Sequence, residues 1–379
     1  MIIVLVCNSL GGGGAERVHV NLANGFAEKN HDVYLIADIY QKTSYHVDAR
    51  VHVLPLCPKA TNKFSKWSKA LMLLRKYIKK HRPDVVIGNM HLCSLLSRFA
   101  AIGTKTPVIM TIHHALESQA FNGFSKTEKF LDRYSPSLYA ATIVLTHADK
   151  LVMNNQYHHS KRIYVIPNPL TFVPVTIAEN GKLKNITGQE LKKENIVVAA
   201  GRLNDWNCKG WDLLIQAAAK LKVLFLKEGW RIEIAGGGTD TMQMFLEKMC
   251  VRAGVEEFVQ FLGYRTDMKE LFQKSSVFCL SSRSEGLPMV LIEAMSQGCA
   301  PVACENLGRT KEIVSNDDEG LLFQTADVND LARKLSQMIE NNEYRKIVQR
   351  AAVRRSDFFN IEHVISIWEN VLKGVCKAS

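Results

Sequence analysis

The chain has 379 residues, enough for two domains at roughly 100–200 residues each, and its 47% hydrophobic and 22% charged content is that of ordinary globular protein. That balance excludes disorder and collagen-like structure, and no stretch reaches the roughly 18–20 uninterrupted apolar residues of a membrane-spanning helix. The net charge of +11 is concentrated, with 21 Lys and Arg against 10 Asp and Glu over residues 1–170, but 27 of each over 171–379; the first half is therefore the part expected to meet an anionic partner.

The opening Met-Ile-Ile-Val-Leu-Val has no basic leader and no small-residue cleavage site, and reads as a first strand. Further short apolar runs follow at 33–38, 51–56, 85–88, 107–112, 142–146 and 163–167, with helical patterns at 15–29, 67–81, 91–102, 126–140 and 148–158. Continuous apolar strands alternating with amphipathic helices predict a parallel sheet covered on both faces. Residues 171–193 turn to Thr, Pro, Asn, Gly and Lys without apolar period, which predicts a linker. Alternation resumes with strands at 196–200, 231–235, 258–262, 276–280 and 300–303 and helices at 210–227, 240–253, 266–274 and 289–297, and from 327 the pattern is mostly helical. The fold class is thus α/β, with two doubly wound domains, 1–170 and 194–343, and a helical tail over 344–379. In such sheets ligands bind beyond the carboxyl ends of the strands, and with two domains the cleft between them is the expected site.

The nine cysteines contain no Cys-x-x-Cys and no Cys/His cluster at zinc spacing, so reduced thiols in a cytoplasmic protein and no metal site are expected. Asn185-Ile186-Thr187 is a glycosylation sequon with nothing else pointing to secretion.

Three segments carry chemistry. Gly11-Gly12-Gly13-Gly14 follows the first strand and opens a helix, where glycines admit a ligand to the backbone and free N–H groups favour anions. A dinucleotide fingerprint starting at Gly11 and Gly13 would need glycine where Glu16 stands, so Asp38 does not suffice to make a nicotinamide site. Arg202, after Gly201 at a strand end, and Lys209, before Gly210 at a helix start, suit a diphosphate. In Ser284-Glu285-Gly286-Leu287-Pro288-Met289-Val290-Leu291-Ile292-Glu293, Pro288 suits a first helical turn. That leaves the amides of 287–290 (Leu287, Met289 and Val290, since proline has none) pointing outward for phosphate oxygens. Glu285 falls in the preceding loop, and Glu293 interrupts an otherwise apolar run, which implies that it faces something polar.

Together, EGLPMVLIEAM, the Arg202/Lys209 pair in GRL…KGWDLLIQA, GGAERV at 13–18 and IPNPL at 166–170 resemble the retaining glycosyltransferases of bacterial family 4, over nearly the whole chain and in the expected order. The resemblance implies GT-B architecture, two Rossmann-like domains facing across a cleft, with a last helix that crosses back to the N-terminal domain. It implies that Arg202 and Lys209 bind the donor diphosphate, Glu293 the ribose hydroxyls and Glu285 a donor-sugar hydroxyl. Gly13 and Gly14 would close over the donor, Tyr264 would contact the base, and His113, or its neighbour His114, would lie near the reacting sugar. Lys209 stands seven positions after Arg202, more than the family's usual spacing, so the 204–208 loop is expected to be displaced or to touch the donor, and Pro169 stands where glycine is common. No Asp-x-Asp occurs, in keeping with chemistry that needs no metal or other cofactor.

The segment 59–82 holds nine cations and no acid, with Phe64, Trp67, Leu71, Leu74 and Ile78 at helical spacing. It reads as a crossover helix whose basic face meets anionic lipid at the inner face of the cytoplasmic membrane. No nucleic-acid-binding signature accompanies the positive charge. The expected function is transfer of a hexose or N-acetylhexosamine from a UDP-sugar to a surface glycan, such as lipopolysaccharide, capsule or a lipid-linked oligosaccharide. A sugar-nucleotide epimerase and a non-catalytic nucleotide-sugar-binding protein are the alternatives.

Overall fold

A computed structural model describes residues 1–11, 14–39, 45–57, 63–116, 135–156 and 162–377. The chain divides into unit 1, Met1–Pro169 with Asn360–Ser379, and unit 2, Leu170–Phe359. Unit 1 runs β1 (Ile2–Ser9), α1 (Gly14–Glu28), β2 (Asp32–Asp38), β3 (His52–Pro55), α2 (Lys63–His81), β4 (Val85–Asn89), α3 (Met90–Ala100), β5 (Val108–Thr111), a 3-10 turn (Ser135–Leu138), β6 (Ala141–Val144), α4 (His147–Gln156) and β7 (Ile163–Val165). Its seven strands are all parallel, in the order β3-β2-β1-β4-β5-β6-β7.

Strand composition explains this arrangement: Ile3, Val4, Leu5 and Val6 are all buried, because side chains on both faces are covered by helices. One face packs Val18, Leu22 and Phe26 of α1 with Val364, Trp368 and Leu372 of the chain's last helix, Ile361–Lys377. The other packs Leu74 and Ile78 of α2, Leu96 of α3 and Met153 of α4. The expected helix 126–140 lies outside the described residues up to 134, and Ser135–Leu138 is a 3-10 turn.

Unit 2 starts with a hairpin of β8 (Thr176–Ile177) and β9 (Leu183–Lys184). It continues with β10 (Glu194–Ala200), a 3-10 turn (Leu203–Asp205), α5 (Trp206–Lys209), α6 (Trp211–Lys220), α7 (Lys222–Glu228), β11 (Arg231–Ala235), α8 (Asp240–Ala253), β12 (Val259–Gly263) and α9 (Met268–Lys274). Then come β13 (Ser275–Leu280), α10 (Met289–Ser296), β14 (Ala300–Cys304), β15 (Leu321–Phe323), α11 (Val328–Glu340) and α12 (Asn342–Ser356), and the last helix of the chain is α13. The main sheet is parallel, β12-β11-β10-β13-β14-β15.

Two expectations, the linker and the helix over 210–227, are corrected by the structure. The segment 171–193 is not a free linker: Val175 and Leu183 are buried with Val353 of α12, and the Val175 amide donates to the Ser296 carbonyl at 2.9 Å. Turn-rich composition concealed a two-residue hairpin too short for an alternation to show. Within the helical tail expected over 344–379, α12 stays with unit 2 and α13 joins the core of unit 1. The helix expected over 210–227 breaks at Leu221, where α6 ends and α7 starts.

Candidate functional site

In unit 2 the carboxyl ends of β10, β11, β12 and β13 are joined by their backbones. The Gly201 amide donates to the Ala235 carbonyl (2.9 Å), Gly236 to Gly263 (2.8 Å), Leu203 to Gly237 (3.0 Å) and Arg283 to Cys208 (2.8 Å). A Cβ on Gly236 would stand 1.8 Å from the Gly201 carbonyl oxygen, so only glycine permits this contact.

The stretch between Arg202 and Lys209 forms the 3-10 turn and the single helical turn α5. The extra spacing is therefore taken up as a compact turn, with Trp206 packed against Phe245 at 5.4 Å between ring centroids. Gly210 then reverses the chain at φ 66°, where a Cβ would meet the Ser281 oxygen at 2.1 Å. The Ser281 hydroxyl donates to the Lys209 carbonyl at 2.9 Å, and Arg283 grips Asp212 at 2.8 and 2.6 Å while also donating to the Asn207 carbonyl. The carboxylate hydrogen-bonded to its guanidinium raises the Arg283 pKa further against a burial that works the other way.

Lys209 Nζ lies 2.7 Å from Glu285 Oε1, with both side chains largely buried. Burial opposes the ammonium, but the Glu285 carboxylate and its hydrogen bond prevail, so the Lys209 pKa is raised and the amine stays charged. The sequence reading gave these two residues separate tasks; the structure joins them in one ion pair. Asn306 donates through Nδ2 to the Glu285 carbonyl at 2.8 Å and fixes the loop from the side of β14. Arg202 is 81% exposed and pairs with Asp205 at 2.9 Å. Tyr264 is 80% exposed and packs beside Gly237.

Pro288 is the N-cap of α10, so Met289 and Val290 occupy its first turn, where amides have no acceptor within the helix. Leu287 is buried beneath them, and Glu293, a turn further on, is buried in α10. The edge of this sheet thus offers a buried cation, a half-exposed helix start and an exposed guanidinium, a combination that favours anionic oxygen.

In unit 1 the corresponding edge is built from imidazoles. His113 follows β5; its amide donates to Met90 Sδ at 3.4 Å, and its Nε2 meets Thr111 Oγ1 at 3.1 Å. The fully buried His19 of α1 stands edge-on to it, with centroids 5.5 Å apart. Burial foremost, then the His19 ring, push the His113 pKa down to about 3, the Asn168 side chain working the other way, and burial pushes that of His19 down to about 4. Both are neutral near pH 7. His114 turns to His91 instead, 5.9 Å between centroids. Gly14 opens α1 with open space around its Cβ position, and Gly13 lies outside the described residues. Asp38, insufficient by itself for a nicotinamide site, is held by Lys66 at 2.8 Å.

Residues 184–355 match the family model for glycosyl transferases group 1, and 12–171 match that for glycosyltransferase family 4. An α-1,4-N-acetyl-D-galactosaminyltransferase of Campylobacter jejuni that acts on a diphospho-undecaprenol-linked acceptor is 30% identical over the whole of both chains. The chain belongs to the family 4 glycosyltransferases. The amylovoran biosynthesis glycosyltransferase AmsD of Erwinia amylovora is 27% identical over 98% of this chain and 99% of its own. A UDP-Gal:α-D-GlcNAc-diphosphoundecaprenol α-1,3-galactosyltransferase of Escherichia coli is 26% identical over 92% and 90%. Among solved structures, Anabaena HepE in complex with UDP and glucose superposes with a TM-score of 0.76 at 17% identity, covering 99% of this chain and all of that one, which establishes the GT-B type of fold.

Within this glycosyltransferase, the sequence reading missed the run Gly236-Gly237-Gly238 and Asn306. The first had a visible signal, three glycines directly after a strand. Asn306 had none, because its role depends on a left-handed backbone (φ 47° there, 53° at Leu307) that sequence pattern does not announce.

Proposed function

We propose that the protein transfers a sugar, with retention of anomeric configuration, from a UDP-sugar to a lipid-linked glycan acceptor in the synthesis of a bacterial surface polysaccharide. The observation that carries this reading is the Lys209–Glu285 pair beside the first turn of α10. An ammonium held charged by its carboxylate partner and largely buried is worth more against developing negative charge than one in water. In this reading Arg202, Lys209 and the amides of Met289 and Val290 receive the diphosphate. Glu285 orients a sugar hydroxyl, Glu293 the ribose, and Tyr264 the base. The neutral imidazole of His113 faces the transferred sugar. The bond from the anomeric carbon to the phosphate oxygen breaks as the bond to the acceptor oxygen forms on the same face. The acceptor proton passes to the departing phosphate, so no protein base and no metal enters.

The relatives named above that act on undecaprenol-diphosphate acceptors support the acceptor class. No described helix is long and apolar enough to cross a membrane, and the reading places the enzyme peripherally, at the inner face of the cytoplasmic membrane. Thermal protection by a panel of UDP- and GDP-sugars with chelator present is the test. Protection by one UDP-sugar, lost in Glu293→Ala and Arg202→Ala, is expected, followed by nucleotide release on adding a lipid-linked acceptor. Conversion of the donor sugar without acceptor would instead identify an epimerase.

A further inference from the structure

The two helical layers of unit 1 treat solvent differently. Among the described residues, α1 and α13 leave no large apolar side chain exposed. On the opposite face, Leu92 and Phe99 of α3 and the following Ile102 are each about half exposed, Met72 of α2 about two-thirds, and Leu151 of α4 likewise. Leu92, Phe99 and Ile102 are spaced seven and three apart, which places them along one outward stripe of α3 and its end. The helices of this layer share a core beneath them, so their outer sides point away from the same sheet face. Arg75 of α2 ties the layer together, donating to the carbonyls of Ala100 and Ile102 at 3.1 and 2.7 Å.

The charge around this stripe has one sign. Lys69, Lys76, Lys79 and Lys80 of α2 and Lys105 beyond α3 are exposed, and between Lys59 and Leu116 the one acid is Asp84, which is bound to the Ile2 amide at 2.7 Å. Apart from Met72, the apolar side chains described on α2 do not reach out: Ala70, Leu74 and Ile78 are buried in the core, and Lys66 is spent on Asp38. A basic border around exposed leucine, isoleucine and phenylalanine suits a surface that is anionic outside and hydrocarbon beneath.

We infer that the outer face of α2 and α3 is the membrane-docking surface, with the α2 lysines on anionic headgroups and Phe99 and Ile102 of α3 inserted below them. This rests on the peripheral location proposed above and assigns the apolar anchor to α3, not to the basic helix. Binding then has a salt-sensitive part and a salt-resistant part.

Co-sedimentation with vesicles of phosphatidylglycerol and phosphatidylethanolamine, at low and at high salt, separates the two. The wild type is expected to bind and to retain part of that binding at high salt. Lys69→Gln/Lys76→Gln/Lys80→Gln should weaken low-salt binding about a hundredfold. Phe99→Ser/Ile102→Ser should weaken it on the order of tenfold or more and abolish the salt-resistant part. Undiminished binding by the Phe99/Ile102 variant would overturn the inference. So would light scattering showing that this variant splits a dimer of a wild type that ignores vesicles, which makes the face a contact between copies. Protection by UDP-sugars, measured on the same samples, is independent: its loss with intact vesicle binding would sink the proposed function and leave this surface standing.

Discussion

Units 1 and 2 share a skeleton of parallel strands covered by helices, yet the candidate site residues at the carboxyl edges of their sheets differ in electrostatic character. In unit 2 the edge is ionic and locked by pairs: Lys209 with Glu285, Arg283 with Asp212. In unit 1 the Asp38–Lys66 pair stands at the end of β2, but the end of β5 is neutral, two imidazoles kept uncharged by burial. The difference teaches that the fold fixes where side chains converge, whereas the residues carried there decide whether the edge meets charge or hydroxyls. Ionic edges suit phosphate; neutral imidazoles, which donate at one nitrogen and accept at the other, suit sugar hydroxyls.

Removing the cation breaks this contrast most severely. Lys209→Met should lower transfer by about a hundredfold to a thousandfold, the scale for losing a preorganised charge-stabilising group, measured as kcat/KM with the cognate donor. Glu285→Gln should cost less, because it leaves the ammonium in place. If Lys209→Met retained wild-type turnover, the ionic edge would be structural and the diphosphate would have to be held elsewhere.

The scaffold of unit 2 is open to a separate test. Gly236→Ala sets a methyl 1.8 Å from a backbone oxygen, which must move the joint between β10 and β11. A loss of about 2–3 kcal/mol is expected by denaturant titration, on the scale of overpacking against backbone.

Acid should separate the units. A histidine held neutral when folded, with its pKa at about 4 or 3 against the ordinary value of 6.5, is protonated more readily when unfolded. Its stabilising contribution is complete above pH 6.5 and is lost as pH falls from there toward the folded value. Each such histidine costs about 2 kcal/mol between pH 6.5 and 5, at 1.4 kcal/mol per pH unit. His19→Phe, which keeps an aromatic ring in the core, should remove the His19 share, about half of the loss that the two histidines produce together, in a stability-against-pH series. A pH profile identical to wild type would mean that His19 takes up its proton with little penalty.

Much of this contrast was legible beforehand. The strand–helix alternation gave both sheets because each strand is buried on two faces and so forms a continuous apolar run, as Ile3–Val6 and Val197–Ala199 do. The short motifs gave Arg202, Lys209, Glu285 and the α10 start because strand ends and helix starts are local features. What escaped was non-local or conformational. Nothing in the spacing joined Lys209 to Glu285, 76 positions apart. His19 looked like one residue in a helical pattern, since its meaning depends on β5 placing His113 beside it. The hairpin at 176–184 read as linker because two-residue strands carry no period.

The smallest prediction concerns the loop that braces Glu285. Asn306 and Leu307 are both left-handed, a conformation that asparagine tolerates and leucine does not, and Leu307 is exposed, so its side chain recovers little of the cost by packing. Leu307→Gly removes the steric penalty, and loses some of that gain to the greater freedom of glycine in the unfolded chain. A net gain of up to about 1 kcal/mol is expected in thermal unfolding. Activity decides what the strain is for. If turnover is unchanged, the leucine is a tolerated misfit. If turnover falls while stability rises, the strained turn holds the Asn306 clasp on the Glu285 carbonyl in its working position, and the ionic edge of unit 2 depends on backbone strain as well as on charge.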